Sequence, residues 1–442
     1  MTELKQYRIQ AASAAELVTD VESAVAAGAL APGQRLPSVR RLAADVGLSP
    51  VTVAAGIAEL RRRGVVVTEQ RRGTRIGQVP PVGVMRAPLP IPAGARDLSR
   101  GNPDPALLPD LAPVLARTRP RVGLYGEPPV TPELIALARE QLLGDGIPAD
   151  SVCLVSGALD GIERVLQAHL RPGDRVAVEN PGYAALYDLL RALGLALEPV
   201  WIDDRGMLPA GLRSALGRGA RAAVITPRGQ NPTGAALDGA RARELRGVLA
   251  EFPDTLLIED DHLGHLAGSR LHTALTGRSR WAATRSVAKA LGPDLRLAVL
   301  AGDPQTVARV QGRQQCGPGW VSHILQNLVL ELWRDPSVEE QIARARDTYG
   351  HRRERLIACL ADRGVRAHGA SGLNVWVPVE DEGGVLGALL QRGWVVAPGA
   401  PYRLAGPQAI RVTTASLTPA EAEDLARDLA EVLAPAAASR SG

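Results

Sequence analysis

From Glu16 to Ala27 the apolar residues Leu17, Val18, Val21 and Val25 recur at helical spacing, and Gly28 to Gly33, with Pro32, end the run. Ser38 is placed to cap a short helix over Val39 to Val46. Gly47-Leu48 makes a tight turn, and Ser49 caps a further helix that opens on Pro50 and runs to about Arg63, with Val53, Ile57 and Leu60 inward. Val65-Val66-Val67 and Thr74-Arg75-Ile76 read as short strands around the basic loop Arg71-Arg72-Gly73. Three helices with a sharp second turn and a small hairpin make a winged helix-turn-helix, whose third helix enters a major groove. Ser49 and Thr52 would then lie near bases, with Arg40, Arg41, Arg71, Arg72 and Arg75 near phosphates or in a groove.

The pattern then changes. Residues 78–96 hold Pro80, Pro81, Pro88, Pro90 and Pro92 with little charge, which predicts an extended linker. Beyond it, apolar strands and helices alternate: Val152–Val155, a helix over Gly161–Leu170, then strands Arg175–Val178, Ala222–Ile225 and Thr255–Ile258, with a further helix at Leu134–Leu143. That alternation predicts an α/β domain with a mainly parallel sheet and ligands at the strand ends. The expected domains are 1–77, a linker 78–96, a body 97–434 and a loose tail 435–442.

Composition sharpens this division. The 11 Lys/Arg and 7 Asp/Glu of residues 1–80 leave 40 of each for the remainder, so the whole net charge of +4 lies in the N-terminal module. An anionic partner is expected for that module alone. No apolar run is long enough to span a bilayer and no signal peptide is visible; Cys153, Cys316 and Cys359 lack metal or redox spacing, so a reduced cytoplasmic setting is expected.

Of the 51 basic residues only Lys5 and Lys289 are lysines. Lys5 lies in a polar N-terminal lead. Lys289 is the single lysine of the body, and a lysine can lose its proton and form a Schiff base where a guanidinium cannot. Other motifs precede it at strand ends. Ser156-Gly157-Ala158 is a glycine turn opening a helix, an anion cradle. Asn180-Pro181-Gly182-Tyr183 sets an aromatic at a strand end, and Asn231-Pro232-Thr233-Gly234 offers a side-chain amide. Glu259-Asp260-Asp261-His262 follows buried residues, and three carboxylates there call for a cation. A pyridinium nitrogen is one partner; a metal, with His262 and His265 as further ligands, is the alternative. Ser286 and Arg296 flank Lys289 and could hold a phosphate.

Two resemblances follow from these residues. The segment Leu30 to Ala43 and the string Ser49-Pro50-Val51-Thr52-Val53 resemble the GntR family signature and the start of its recognition helix. The body, from about Asp97 to Leu433, resembles fold-type I pyridoxal 5'-phosphate (PLP) enzymes of the class I/II aminotransferase group. That likeness implies that Lys289 forms the internal aldimine, Asp260 pairs with the pyridine nitrogen, Asn231 hydrogen-bonds the phenolic oxygen and Tyr183 stacks on the ring. It further implies that Gly157, Ala158, Ser286 and Arg296 hold the phosphate, with Tyr125 reaching in from a second subunit. Arg411 falls where the family binds an α-carboxylate, and Asn102 lies beside the substrate-contacting Gly101. The sequence departs from the group at His262, where a Tyr is usual, and at Ala288, where a hydroxyl is usual.

Together the two halves resemble the MocR type of bacterial transcription factor. The expected partners are double-stranded operator DNA, PLP or an amino-compound effector, and a second copy of the chain, with no membrane and no metal. An active aminotransferase carrying an accessory DNA-binding module is the second reading, and a dimerisation scaffold the third. The His262 and Lys289 strings resemble members linked to vitamin B6 handling; GABA, taurine or another amine stays open as effector.

Overall fold

The computed structural model describes residues 9–26, 29–31, 33–62, 65–69, 73–77, 91–118 and 124–434. Arg71 and Arg72, most of the linker and the tail 435–442 lie outside the described residues. The chain divides into two units, the smaller of residues 1–88, 170–175 and 187–197 and the larger of 89–169, 176–186 and 198–442. No single helix among the described residues is long and apolar enough to cross a membrane.

In the N-terminal module α1 is Ala14–Ala26, α2 Val39–Val46 and α3 Pro50–Arg62, followed by β1 (Val66–Glu69) and β2 (Gly73–Ile76). Ser38 accepts the Arg41 amide to cap α2, and Gly47 ends it at φ 72°, a left-handed turn that favours glycine. Leu17, Val21, Leu42, Val53 and Leu60 are all at most 1% exposed, so the three helices share one aliphatic core. Residues Val66 to Glu69 pair antiparallel with Gly73 to Ile76, and Arg35 bridges to Arg75 beside them. Gly56 sits where α3 meets α1: a Cβ there would come 2.6 Å from Leu17 Cδ2 and 3.3 Å from the Ala14 carbonyl oxygen.

The body begins with β3 (Arg96–Leu98), so Arg96 belongs to a sheet and not to the linker expected to end there. Its amide donates to the Gly393 carbonyl at 2.7 Å. The remaining strands are β4 (Ser151–Val155), β5 (Arg175–Asn180), β6 (Ala196–Asp203), β7 (Gly206–Met207), β8 (Ala220–Ile225), β9 (Leu256–Asp261), β10 (Trp281–Ser286), β11 (Ala298–Gly302), β12 (Asn374–Pro378), β13 (Trp394–Pro398) and β14 (Ala409–Thr413). The large sheet has the order β4-β11-β10-β9-β8-β5-β6-β7. β8, β9 and β10 run parallel, while β11 runs against both of its neighbours. The central strands are buried along almost their whole length, as a sheet covered on both faces requires. Because β8, β9 and β10 are parallel, the segments leaving them emerge at one edge, and the motifs named above collect there.

A second sheet, β12-β14-β13-β3, packs under the helices Pro336–Ala361, Glu382–Gln391 and Pro419–Leu433 around Leu356, Val375, Ile410 and Leu425. This makes the fold α/β: a winged helix-turn-helix followed by a PLP-dependent transferase fold with a smaller C-terminal subdomain.

The close approach at Gly56 yields a test. Gly56→Val should destabilise the N-terminal module by about 1–3 kcal/mol, since Ala14 offers backbone that cannot move aside. In the full chain, hydrogen–deuterium exchange should quicken over residues 14–62 and stay unchanged in β8 to β10; unchanged exchange in α1 and α3 would refute the packing argument.

Candidate functional site

The carboxylate run on β9 is sorted by strand geometry, since successive side chains point to opposite faces. Glu259 accepts from Thr273 Oγ1 at 2.8 Å and the Ala274 amide at 2.7 Å, and burial pushes it up to about 7. Asp261 accepts from Arg228 at 2.8 and 2.9 Å and from Arg285 at 2.9 Å. Both guanidiniums also reach Asp145, at 3.1 and 2.6 Å. Burial alone would raise the Asp261 carboxyl, yet Arg285 and Arg228 hold it below its ordinary value. The cation that the carboxylate run requires is therefore partly supplied from within the chain. Asp260, between the two, lines the neighbouring cavity, accepts from Thr284 Oγ1 at 3.1 Å, and is pushed up to about 7 by burial and by Asp261.

That cavity, of about 280 Å³, brings together Lys289, Asp260, His262, Asn231, Tyr183, Ala158, Ser286, Arg296 and Arg411. Lys289 follows β10 on the short helix Ala288–Leu291, and its Nζ donates to the Gly101 carbonyl at 2.7 Å. Burial and the nearby Arg411 charge lower its ammonium to about 8, so an appreciable fraction is free amine near neutral pH. Arg411, on β14, donates to Asn231 Oδ1 at 3.0 Å and to the Ser99 carbonyl, and its guanidinium lies 4.8 Å from the Tyr402 ring centroid. Its Nε is buried without a partner. His262 is lowered to about 4 by burial and by Lys289, so it faces the cavity as neutral imidazole.

The opposite end is built to hold an anion. Gly157 has φ 113°, and a Cβ there would come 2.9 Å from Arg296 Nη2. The helix Ala158–His169 starts at this turn, with first-turn amides free of intrahelical partners. Ser286 Oγ accepts the Ala288 amide at 3.1 Å, and Arg296 stands at the rim. An anion cradle, an amine of lowered basicity and a buried carboxyl in one cavity fit a phosphorylated aromatic aldehyde with a basic ring nitrogen.

Two expected residues lie elsewhere. Asn102 is exposed and does not line the cavity, whereas Gly101 does. Tyr125 is 94% exposed, packs edge-on to Trp320 at 5.6 Å, and takes no part in its own chain's cavity. Sequence reasoning missed Arg100, Asn374 and Tyr402, which line the cavity, and Thr284, which supports Asp260. Tyr402 alone carried a signal, as one of six tyrosines.

In the N-terminal module Arg40 and Arg41 are exposed on α2. Ser49 accepts the Thr52 amide at 3.1 Å, and the two hydroxyls lie 2.8 Å apart. Arg75 is half-buried and donates to the Gly33 carbonyl at 3.1 Å through Nη1, which ties the hairpin to the α1–α2 loop. Arg35 is exposed beside it.

Residues 96–429 match the class I and II aminotransferases, and residues 13–76 match the gntR family of bacterial regulatory proteins. The vitamin B6 salvage pathway transcriptional repressor PtsJ of Salmonella typhimurium is 38% identical over 429 residues, 96% of this chain and 99% of that one. The chain belongs to the MocR-type regulators. Another relative of this MocR-type chain, the HTH-type transcriptional regulator TauR of Rhodobacter capsulatus, is 29% identical over 80% of each chain. Among solved structures, the α-aminoadipate aminotransferase LysN of Thermus thermophilus, complexed with N-(5'-phosphopyridoxyl)-L-leucine, has a TM-score of 0.69 at 23% identity, over 77% of this chain and 92% of that one.

The Asp260 carboxyl sets a pH dependence for this MocR-type body. Raised from 3.8 to about 7, it keeps a proton in the folded protein that the unfolded chain has released. Its contribution to stability is present below about pH 4 and lost as pH rises to about 7. His262, lowered to about 4, acts in the opposite sense between about pH 4 and 6.5. Without cofactor, the urea midpoint of wild type relative to Asp260→Asn should therefore fall between pH 5 and 7 and level off above; parallel curves would refute the assignment.

Proposed function

We propose that this protein is a cytoplasmic, PLP-dependent transcriptional regulator: its winged helix binds operator DNA, and its aminotransferase-like body holds PLP and senses PLP or an amino compound. The observation that carries this is the cavity around Lys289, in a chain that also holds a capped helix-turn-helix flanked by exposed arginines. PLP, when bound, supplies an electrophilic aldehyde and an electron-withdrawing ring.

In this reading Lys289 holds the cofactor covalently and Asp260 faces its ring nitrogen, where a positive charge would draw the raised carboxyl back to the ionised form. Asn231 and His262 approach the ring oxygen, and Tyr183 covers the ring face. Gly157 and Ala158 amides, Ser286 and Arg296 hold the phosphate. Arg411 receives a carboxylate of the effector, for which its unpartnered Nε gives support. A homodimer is part of the proposal: the Tyr125 ring, 94% exposed, would complete the partner's cavity. The PtsJ relative supports a vitamin B6 compound as effector and repression as the output. An effector alters DNA affinity by binding the DNA-competent and incompetent states unequally.

The test is a footprint upstream of the protein's own or a neighbouring gene, taken with and without PLP. Protection that shifts with PLP supports the regulator, and protection indifferent to PLP and to amines overturns the sensing role. Purified wild type should show visible absorbance that Lys289→Ala loses; a colourless wild type that ignores added PLP would sink the cofactor assignment. Steady turnover of an amino donor with a keto acid at ordinary enzyme rates would instead favour an active aminotransferase.

A further inference from the structure

We infer that Val51 reads the methyl group of a thymine in the major groove of the operator. The inference rests on the module being a DNA-binding one and adds what it recognises. In α3 the buried residues are Val53, Gly56, Ile57 and Leu60, while Pro50, Val51, Ala54, Ala55 and Ala58 are exposed. Val51, Ala54, Ala55 and Ala58 follow the i, i+3, i+4, i+7 spacing of one helix face. From Val51 to Ala58 along that face Val51 is the single side chain larger than Ala, and it is 79% exposed; exposed Arg61 follows one turn further on. The core does not need it: every core contact of α3 is made from the other face.

The polar groups nearby are committed. Ser49 Oγ caps α3 through the Thr52 amide and lies 2.8 Å from Thr52 Oγ1. Pro50 to Ala58 carries no charged residue at all. Flanking positive charge stands on α2, at exposed Arg40 and Arg41, with Asp45 4.0 Å from Arg41, and at the far end of α3, at exposed Arg61. Arginines beside the helix and a neutral face on it match a groove with phosphate walls and an uncharged floor. The alanines let the backbone come close, leaving Val51 as the group that projects.

A valine offers no hydrogen bond. Base edges that present donors or acceptors would be desolvated against it without a partner, which is unfavourable. The thymine C5-methyl is the apolar group of the major groove, and contact with it costs nothing in lost hydrogen bonds. The face therefore selects a thymine opposite Val51 and disfavours a G·C pair there.

The test uses the full-length protein with duplexes selected from a random pool, each thymine replaced in turn by deoxyuracil, which lacks only the methyl. Wild type should lose affinity about fourfold at one thymine per repeat of the site, the weight of one buried methyl group. Val51→Ala, at an exposed position where alanine is a better helix former, should bind more weakly and be indifferent to uracil at that position. Binding unaffected by uracil anywhere, or Val51→Ala keeping the same uracil sensitivity, overturns this inference while leaving the regulator intact. A wild type that selects no DNA overturns both.

Discussion

Everything at the candidate site depends on how the end of β9 disposes of adjacent carboxylates. Three acids in a row at a buried strand end would repel one another and lose their hydration. The pleat separates them, and the chain gives each a different environment. Asp261 is clamped by Arg228 and Arg285, which also hold Asp145, and stays ionised. Glu259 is satisfied by Thr273 and the Ala274 amide. Asp260 is left with one hydroxyl and the cavity, and so it alone remains free to respond to what enters. The arginine clamp thus does indirect work, since it fixes the strand that aims Asp260.

The same logic of partial satisfaction runs across the cavity. Lys289 has a single backbone acceptor and a neighbouring guanidinium, a combination that makes it less basic than a surface lysine. Arg411 spends two of its nitrogens on Asn231 and Ser99 and one ring contact on Tyr402, yet retains a buried Nε without a partner. Arg296 and Arg100 add positive charge at the rim, and Asp260 is the one carboxylate among the lining residues. Such a lining favours an anionic ligand whose own positive charge sits near Asp260.

Much of this was legible in the sequence because it was local. The helix over Val39–Val46 and the start of α3 at Pro50 follow from Ser38, Gly47, Ser49 and the apolar period. The lone Lys289 and the motifs around it named eight residues that the fold gathers into one cavity, and the aminotransferase resemblance added Arg411. What stayed hidden depends on partners far apart in the chain. Asp145 and Arg285 meet across 140 residues, and neither belongs to a motif. Tyr402 matters because it lies over Arg411, which no spacing announces. The bond from Arg75 to the Gly33 carbonyl spans 42 residues, and no local pattern announces it. Arg96 joined a sheet whose other strands come from the far end of the chain.

A pocket of this kind and a helix-turn-helix in one chain do not by themselves make a sensor. Coupling requires that ligand-bound and ligand-free bodies prefer different states of the DNA-binding module, and the preference is reciprocal: operator must change ligand affinity by the same factor that ligand changes operator affinity. His262 faces the cavity as a neutral imidazole, kept so by burial and by the Lys289 charge, and Ala288 lines the same cavity without a hydroxyl. Lys289, Asp260, Arg296 and Arg411 all remain in the cavity. Ligand held by those groups alters operator affinity only as far as the two states of the body differ in how they hold it.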